Sequence, residues 1–125
     1  MSEPRPEFVV CITGERKNTM YRSAIREMLT EHQPTRCIFG ECSGVDQSAR
    51  AVCDELKIPY QIYYADWERY GRAAGPIRNR QMIDTKPDLV LAFHNNLAKS
   101  KGTKNTVDQA RKAKIPVNVI VIPEK

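Results

Sequence analysis

Sulfur and imidazole are scarce in this chain, and their spacing excludes the sites usually built from them. The four cysteines, Cys11, Cys37, Cys42 and Cys53, include no C-x-x-C pair. Cys11 and Cys37 fall inside apolar, strand-like runs. The four therefore read as buried free thiols of a reducing compartment rather than as disulfides or a metal cage. Neither of the two histidines, His32 and His94, has a partner at a ligand-like spacing, so no metal site and no cofactor are expected. No apolar run approaches the ~20 residues that span a bilayer, which argues against a membrane protein. Residues 1–7 are polar and proline-containing, lack a secretory pattern, and read as a flexible tail of a cytoplasmic protein. Also missing is a basic stripe interleaved with aromatics, so nucleic acid is not the expected partner.

What is present is enough for one domain. At 125 residues, 41% apolar and 28% charged, residues 1–125 can bury a real core. The formal charge of +5 favours an anionic ligand, without separating a nucleotide from a nucleic acid or a generic basic surface. Apolar β-branched runs at 8–13, 37–40, 60–64, 89–93 and 117–122 read as five strands. Between them lie helical patterns. The first carries Met20/Tyr21, Ala24/Ile25 and Met28/Leu29 on one face and is stopped by Pro34. The second carries Val45, Ala49, Val52/Cys53 and Leu56 inward. Residues 66–75 form a polar and aromatic connection, and Pro76 suits the first position of a third helix running to Asp84. In the last helix Thr103 is a plausible N-cap, with Val107, Ala110 and Ala113 on one face. Lys-Ile-Pro occurs at two helix-to-strand junctions, 57–59 and 114–116. Strands alternating with helices predict an α/β, Rossmann-like three-layer domain, its five-stranded, mainly parallel sheet ordered 3-2-1-4-5.

That order puts strands one and four side by side at the switch point, where ligands bind beyond the carboxyl ends of strands. It gathers the loops 14–17, 40–46 and 94–103. Ser100, Gly102 and Thr103 open the last helix and, with Lys99, Lys101 and Lys104 nearby, read as a phosphate seat on backbone N–H groups; the alternative is an ordinary turn with solvated lysines. Gly14 allows a sharp turn after strand one. Arg16 is either a surface arginine or a planar fork for phosphate or carboxylate. Ser43 is a capping candidate and Gly44 permits close backbone approach. Asp46 either complements the helix dipole or holds ribose hydroxyls. Trp67 and Tyr70 either stack on a base or cover a helix end. Arg78 is either a solvated helix residue or a cation facing the ligand.

Several stretches resemble a known family: GER after strand one, ECSGVDQSA, YYADWERYGRAAGPIRNRQMI, and S-K-G-T-x-N before the last helix. From about residue 8 to 121 the chain resembles the YspA/YpsA-related branch of the SLOG superfamily. That superfamily includes the DNA-uptake protein DprA, molybdenum-cofactor carrier proteins and the lonely-guy phosphoribohydrolases. The resemblance implies a Rossmann-like fold, a nucleotide or nucleotide-derived ligand, and a homodimer or larger homo-oligomer. Lonely-guy enzymes split the N-glycosidic bond of nucleoside 5′-monophosphates and carry R-K-x-x-M and P-G-G-x-G-T-x-x-E. Arg78 and Met82 fall on the first motif, and Gly102-Thr103 on the G-T of the second. His94-Asn95-Asn96 stands in place of P-G-G, and Thr106 in place of the catalytic Glu. A catalytic carboxylate would then have to come from Asp46 or Glu68, with Glu15 and Glu41 as weaker candidates. The expected function is nucleotide binding at the switch point, extending in one form to hydrolysis of a nucleoside 5′-monophosphate by Arg78 with Asp46 or Glu68. The alternatives are a non-catalytic nucleotide sensor or carrier and single-stranded nucleic-acid binding.

Overall fold

The computed structural model describes residues 6–15, 20–41 and 44–121. Its strands are β1 (Val9–Gly14), β2 (Arg36–Gly40), β3 (Tyr60–Tyr63), β4 (Leu89–Phe93) and β5 (Val117–Ile120). The helices are α1 (Arg22–His32), α2 (Val45–Leu56), α3 (Trp67–Tyr70, a single turn), α4 (Ala74–Asp84) and α5 (Gly102–Lys112). All strand pairs are parallel, in the order β3-β2-β1-β4-β5. This is the Rossmann-like topology expected from the alternation of strand and helix patterns. β1 lies at the centre, with Val10 opposite Cys37 on one side and Leu89 on the other.

Side chains alternate across a strand, so β1 feeds two cores. Val10 and Ile12 face α1 and α2, packing with Tyr21, Ile25, Leu29, Val45, Ala49 and Val52. Val9 and Cys11 face the opposite layer, with Met82 and Ile83 of α4 and Ala110 of α5. A strand buried on both faces has no polar alternation to show, which is why these segments read as continuous apolar runs. Among the described residues no helix is long and apolar enough to cross a membrane. Cys11, Cys37 and Cys53 are buried free thiols; Cys42 lies outside the described residues.

Several boundaries differ from the sequence expectation. Helix α4 starts two residues before Pro76, placing the proline third in the helix, where its missing N–H is still one of the first-turn donors without an intrahelical partner. In α5, Thr103 lies inside the helix, and its N–H bonds to Ser100 Oγ at 3.0 Å, so Ser100 rather than Thr103 supplies the cap. Ala113 falls past the last turn and is exposed. Met20 precedes α1 and is also exposed, leaving Tyr21, Ile25 and Leu29 as the buried stripe. β3 stops at Tyr63 and β5 at Ile120. α1, α2, α4 and α5 are each followed by a left-handed residue, Gln33, Lys57, Lys86 and Lys114, with φ of 50, 58, 57 and 61°. A proline follows each within two residues, so the chain leaves these four helices through the same kind of bend.

Candidate functional site at the β1–β4 switch point

A cleft of about 360 Å³ opens beyond the carboxyl ends of β1 and β4. It is lined by Thr13 and Gly14 at the end of β1, Glu15 just after it, Asp46 at the start of α2, Arg78 and Asn79 of α4, His94 after β4, and 100–103 at the start of α5. That volume suits a ligand of nucleotide size.

The floor is held by backbone. A Cβ on Gly14 would lie 2.6 Å from both Phe93 O and Val45 Cγ2, so only glycine lets the chain pass between β4 and α2. The next residue is pinned on both sides: Glu15 N–H donates to Phe93 O at 3.2 Å, and Glu15 O accepts from Val45 N–H at 3.0 Å. Gly44 takes a φ of 77° at the entrance to α2; it is buried and lies outside the cleft lining.

Arg78 crosses the end of β2. Its guanidinium fills the space where a Cβ on Gly40 would sit, and Asp46 Oδ2 is 3.0 Å from that same point. Arg78 is only 6% exposed. Nε donates to Asn79 Oδ1 at 2.9 Å, and Nη1 donates to Glu41 Oε2 at 2.9 Å and to Tyr63 O at 3.4 Å. The Glu41 carboxylate also accepts from Ala65 N–H at 3.3 Å. Arg78 is thus neither a solvated helix residue nor wholly a ligand cation. Nη1 ties α4 to the ends of β2 and β3, Nε is held by the neighbouring residue of α4 itself, and the side chain lines the cleft. Asn79, 3% exposed, carries the tie onward to α5 through Gly102 O at 3.4 Å and Asn105 Oδ1 at 3.2 Å.

The seat at α5 is an eleven-residue helix whose first-turn N–H groups lack partners in the helix itself. Ser100 Oγ takes one of them, and exposed Lys101 lies beside the others. Thr106 is fully buried, and its hydroxyl donates to Gly102 O at 3.3 Å. The cleft lining also includes Glu15 and His94. His94 Nδ1 accepts from Asn96 N–H at 2.9 Å, which assigns the ring proton to Nε2, and lies 3.8 Å from Glu15 Oε1. Tyr21, which interacts with Glu15, is fully buried. Its hydroxyl donates to Asn95 Oδ1 at 2.6 Å, and burial, then the Glu15 charge, raise its pKa.

The cleft therefore gathers Gly14, Asp46, Arg78, Ser100, Gly102 and Thr103 from the sequence-predicted set. Arg16 and Ser43 lie outside the described residues. Trp67, Glu68 and Tyr70 sit exposed on α3 and are not among the lining residues; Arg69 stacks 5.2 Å above the Tyr70 ring, and Asp66 caps the turn. Asn79 went unread because a buried amide between two arginines has no signature in a single sequence. The Arg78–Glu41 pair joins positions 37 apart, which no local pattern encodes. Among the described residues no group of three or more His, Cys, Asp or Glu is placed to hold a metal.

No protein-family model matches the chain. It is 30% identical over 117 residues to the gene 61 protein of Mycobacterium phage D29, a match covering 86% of this chain and 92% of the phage protein.

Proposed function

We propose that this chain, which belongs to the same family as the gene 61 protein of Mycobacterium phage D29, is a nucleotide-binding domain. The ligand's phosphate sits at the N-terminus of α5. One observation carries the reading: the start of α5, the hydroxyls of Ser100 and Thr103, Lys101 and the buried Arg78 all line one cleft at the switch point. Aligned N–H groups, a mobile ammonium and a guanidinium nitrogen together suit a phosphate dianion. The SLOG resemblance belongs to the same reading, and with it a cytoplasmic homo-oligomer.

Between a phosphoribohydrolase and a sensor or carrier, position 106 favours the second. Glycosidic hydrolysis needs a carboxylate near the anomeric carbon. Thr106 is buried and bonded to its own helix, so α5 offers none. Asp108, two residues on, pairs with Lys104 on the exposed side. The carboxylates that do line the cleft, Glu15 and Asp46, come from the end of β1 and the start of α2 rather than from α5; on the strength of position 106 we take binding without turnover as the function.

Calorimetric titration of the four ribonucleoside 5′-monophosphates tests it. At least one should bind, and Lys101→Ala should weaken it roughly ten-fold, the loss of about one charge-assisted hydrogen bond. Absence of binding across the panel would overturn the reading. Chromatography of the same mixtures should show no free base; its appearance would move the assignment to a hydrolase.

A further inference from the structure

We propose that Thr13 is a ligand-binding residue: its hydroxyl and that of Thr103 form the floor of the cleft and take the oxygens of a terminal phosphate, so the ligand is a phosphomonoester that enters phosphate first. This rests on the nucleotide reading and adds which residue meets the phosphate from the sheet. Charge alone does not place a phosphate in this cleft, because Arg78 and Lys101 share its lining with Glu15 and Asp46. Short-range donors decide the position. Two are built into the floor. Thr13 is 9% exposed and Thr103 4%, and both line the cleft. Among the described residues neither hydroxyl has a hydrogen-bond partner. Yet every fully buried side-chain nitrogen or oxygen of the described residues has one. The two hydroxyls are therefore open to the cleft although the residues around them are packed, and each is a donor without an acceptor inside the protein.

The strand register explains how Thr13 comes to face the cleft. Residues of β1 alternate, so Thr13 shares the face of Val9 and Cys11, toward α4 and α5. Its neighbour across the ladder is Ala92 of β4, which shares the face of Val90. The methyl group of Ala92 fills little of the space above the sheet, and the fully buried Cys11 closes the strand behind Thr13. Thr103 belongs to the first turn of α5, whose N–H groups lack partners in the helix itself. The floor thus joins a strand hydroxyl, a helix hydroxyl and first-turn N–H groups. A terminal phosphate dianion presents three oxygens that only accept, which suits donors arriving from a strand and a helix at once. An internal phosphodiester carries chain on two of its oxygens and cannot be lowered onto a floor closed by the sheet. The site so selects a free nucleotide against a polynucleotide.

The test is calorimetry of the wild type, Thr13→Val and Thr13→Ser with the four ribonucleoside 5′-monophosphates, the 5′-phosphate methyl ester of the one that binds best, and ribose 5-phosphate. The wild type should bind the monophosphate about ten-fold more tightly than its ester. Thr13→Val should weaken the monophosphate about ten-fold, the loss of one hydrogen bond to a charged group, and leave the ester unchanged. Thr13→Ser keeps the hydroxyl and should stay within about three-fold of the wild type. Because no protein group uses that hydroxyl, Thr13→Val should leave the urea midpoint unchanged or raised, whereas loss of a structural hydroxyl would lower it. Full affinity of Thr13→Val for the monophosphate would overturn the proposal, as would an ester bound as tightly as the monoester, or a loss of affinity that tracks a lowered urea midpoint. In those cases nucleotide binding itself stands. If no nucleoside monophosphate binds but ribose 5-phosphate does, and Thr13→Val weakens it, the phosphate floor stands and the nucleotide reading falls. Failure of every probe to bind would remove both.

Discussion

Gly40 and Arg78 form a unit in which one side chain takes the space that the other residue leaves empty. A methyl group at position 40 would occupy the guanidinium's position, so Gly40→Ala evicts Arg78 from its bonds to Glu41, Asn79 and Tyr63. Urea denaturation should show a loss of about 1–3 kcal/mol, the usual cost of overpacking. Arg78→Lys should lose a comparable amount, because a point cation cannot reach Glu41 and Asn79 together. The buried thiols set a second expectation. Burial, then the Asp46 charge, push the Cys11 thiol from 9.0 up to about 12. Cys37 is also raised, by its hydrogen bond with Cys53 and then by burial. Between these limits the folded chain keeps protons that the unfolded chain releases. Stability contributed by the thiols is therefore constant below pH 9 and falls as pH rises toward 12, by about 1.4 kcal/mol per pH unit for each group. Urea midpoints measured across this range should decline, and Cys11→Ala should make the decline shallower.

At the scale of single elements, α5 depends on a residue outside it. Ser100→Ala removes the hydroxyl that satisfies the Thr103 N–H in the first turn of that helix and should cost about 1 kcal/mol in thermal or urea unfolding. At the other ends of the helices, the left-handed Lys57 and Lys114 each hold a conformation that suits glycine. Lys57→Gly should stabilise the fold by about 0.5–1 kcal/mol, read as a raised urea midpoint with unchanged slope. These ends also explain what the sequence made legible. Lys-Ile-Pro marked the exits of α2 and α5 because proline forbids helix just where the strand must begin. The start of α4 was misplaced because proline is tolerated throughout a first turn and cannot mark one position within it. Strand β4 was read to the residue, since both its faces are buried and its ends are polar.

Across the whole molecule, the site was legible as far as topology could carry it. The 3-2-1-4-5 order brought the loops after β1 and β4 and the start of α2 together, and the cleft is there. The Arg78–Glu41 pair and the tie from Asn79 to α5 were not legible, because they join side chains distant in the chain that carry no periodic signal. The aromatic turn α3 stands exposed to one side. One feature of the sheet reaches beyond the finished structure. The central strand receives its second neighbour from far along the chain: Val9 N–H bonds to Asp88, 79 positions away, just ahead of β4. During synthesis β1 therefore waits beside β2 with one edge open until β4 has emerged, and such distant pairing is slow to form. A fragment ending at residue 88 should lack cooperative unfolding and should self-associate through that edge, whereas adding β4 and β5 should abolish the association; sedimentation of the two lengths would show it. The ligand cleft is bounded by β1 on one side of that seam and β4 on the other, so competence to bind arises in the same late event that closes the sheet.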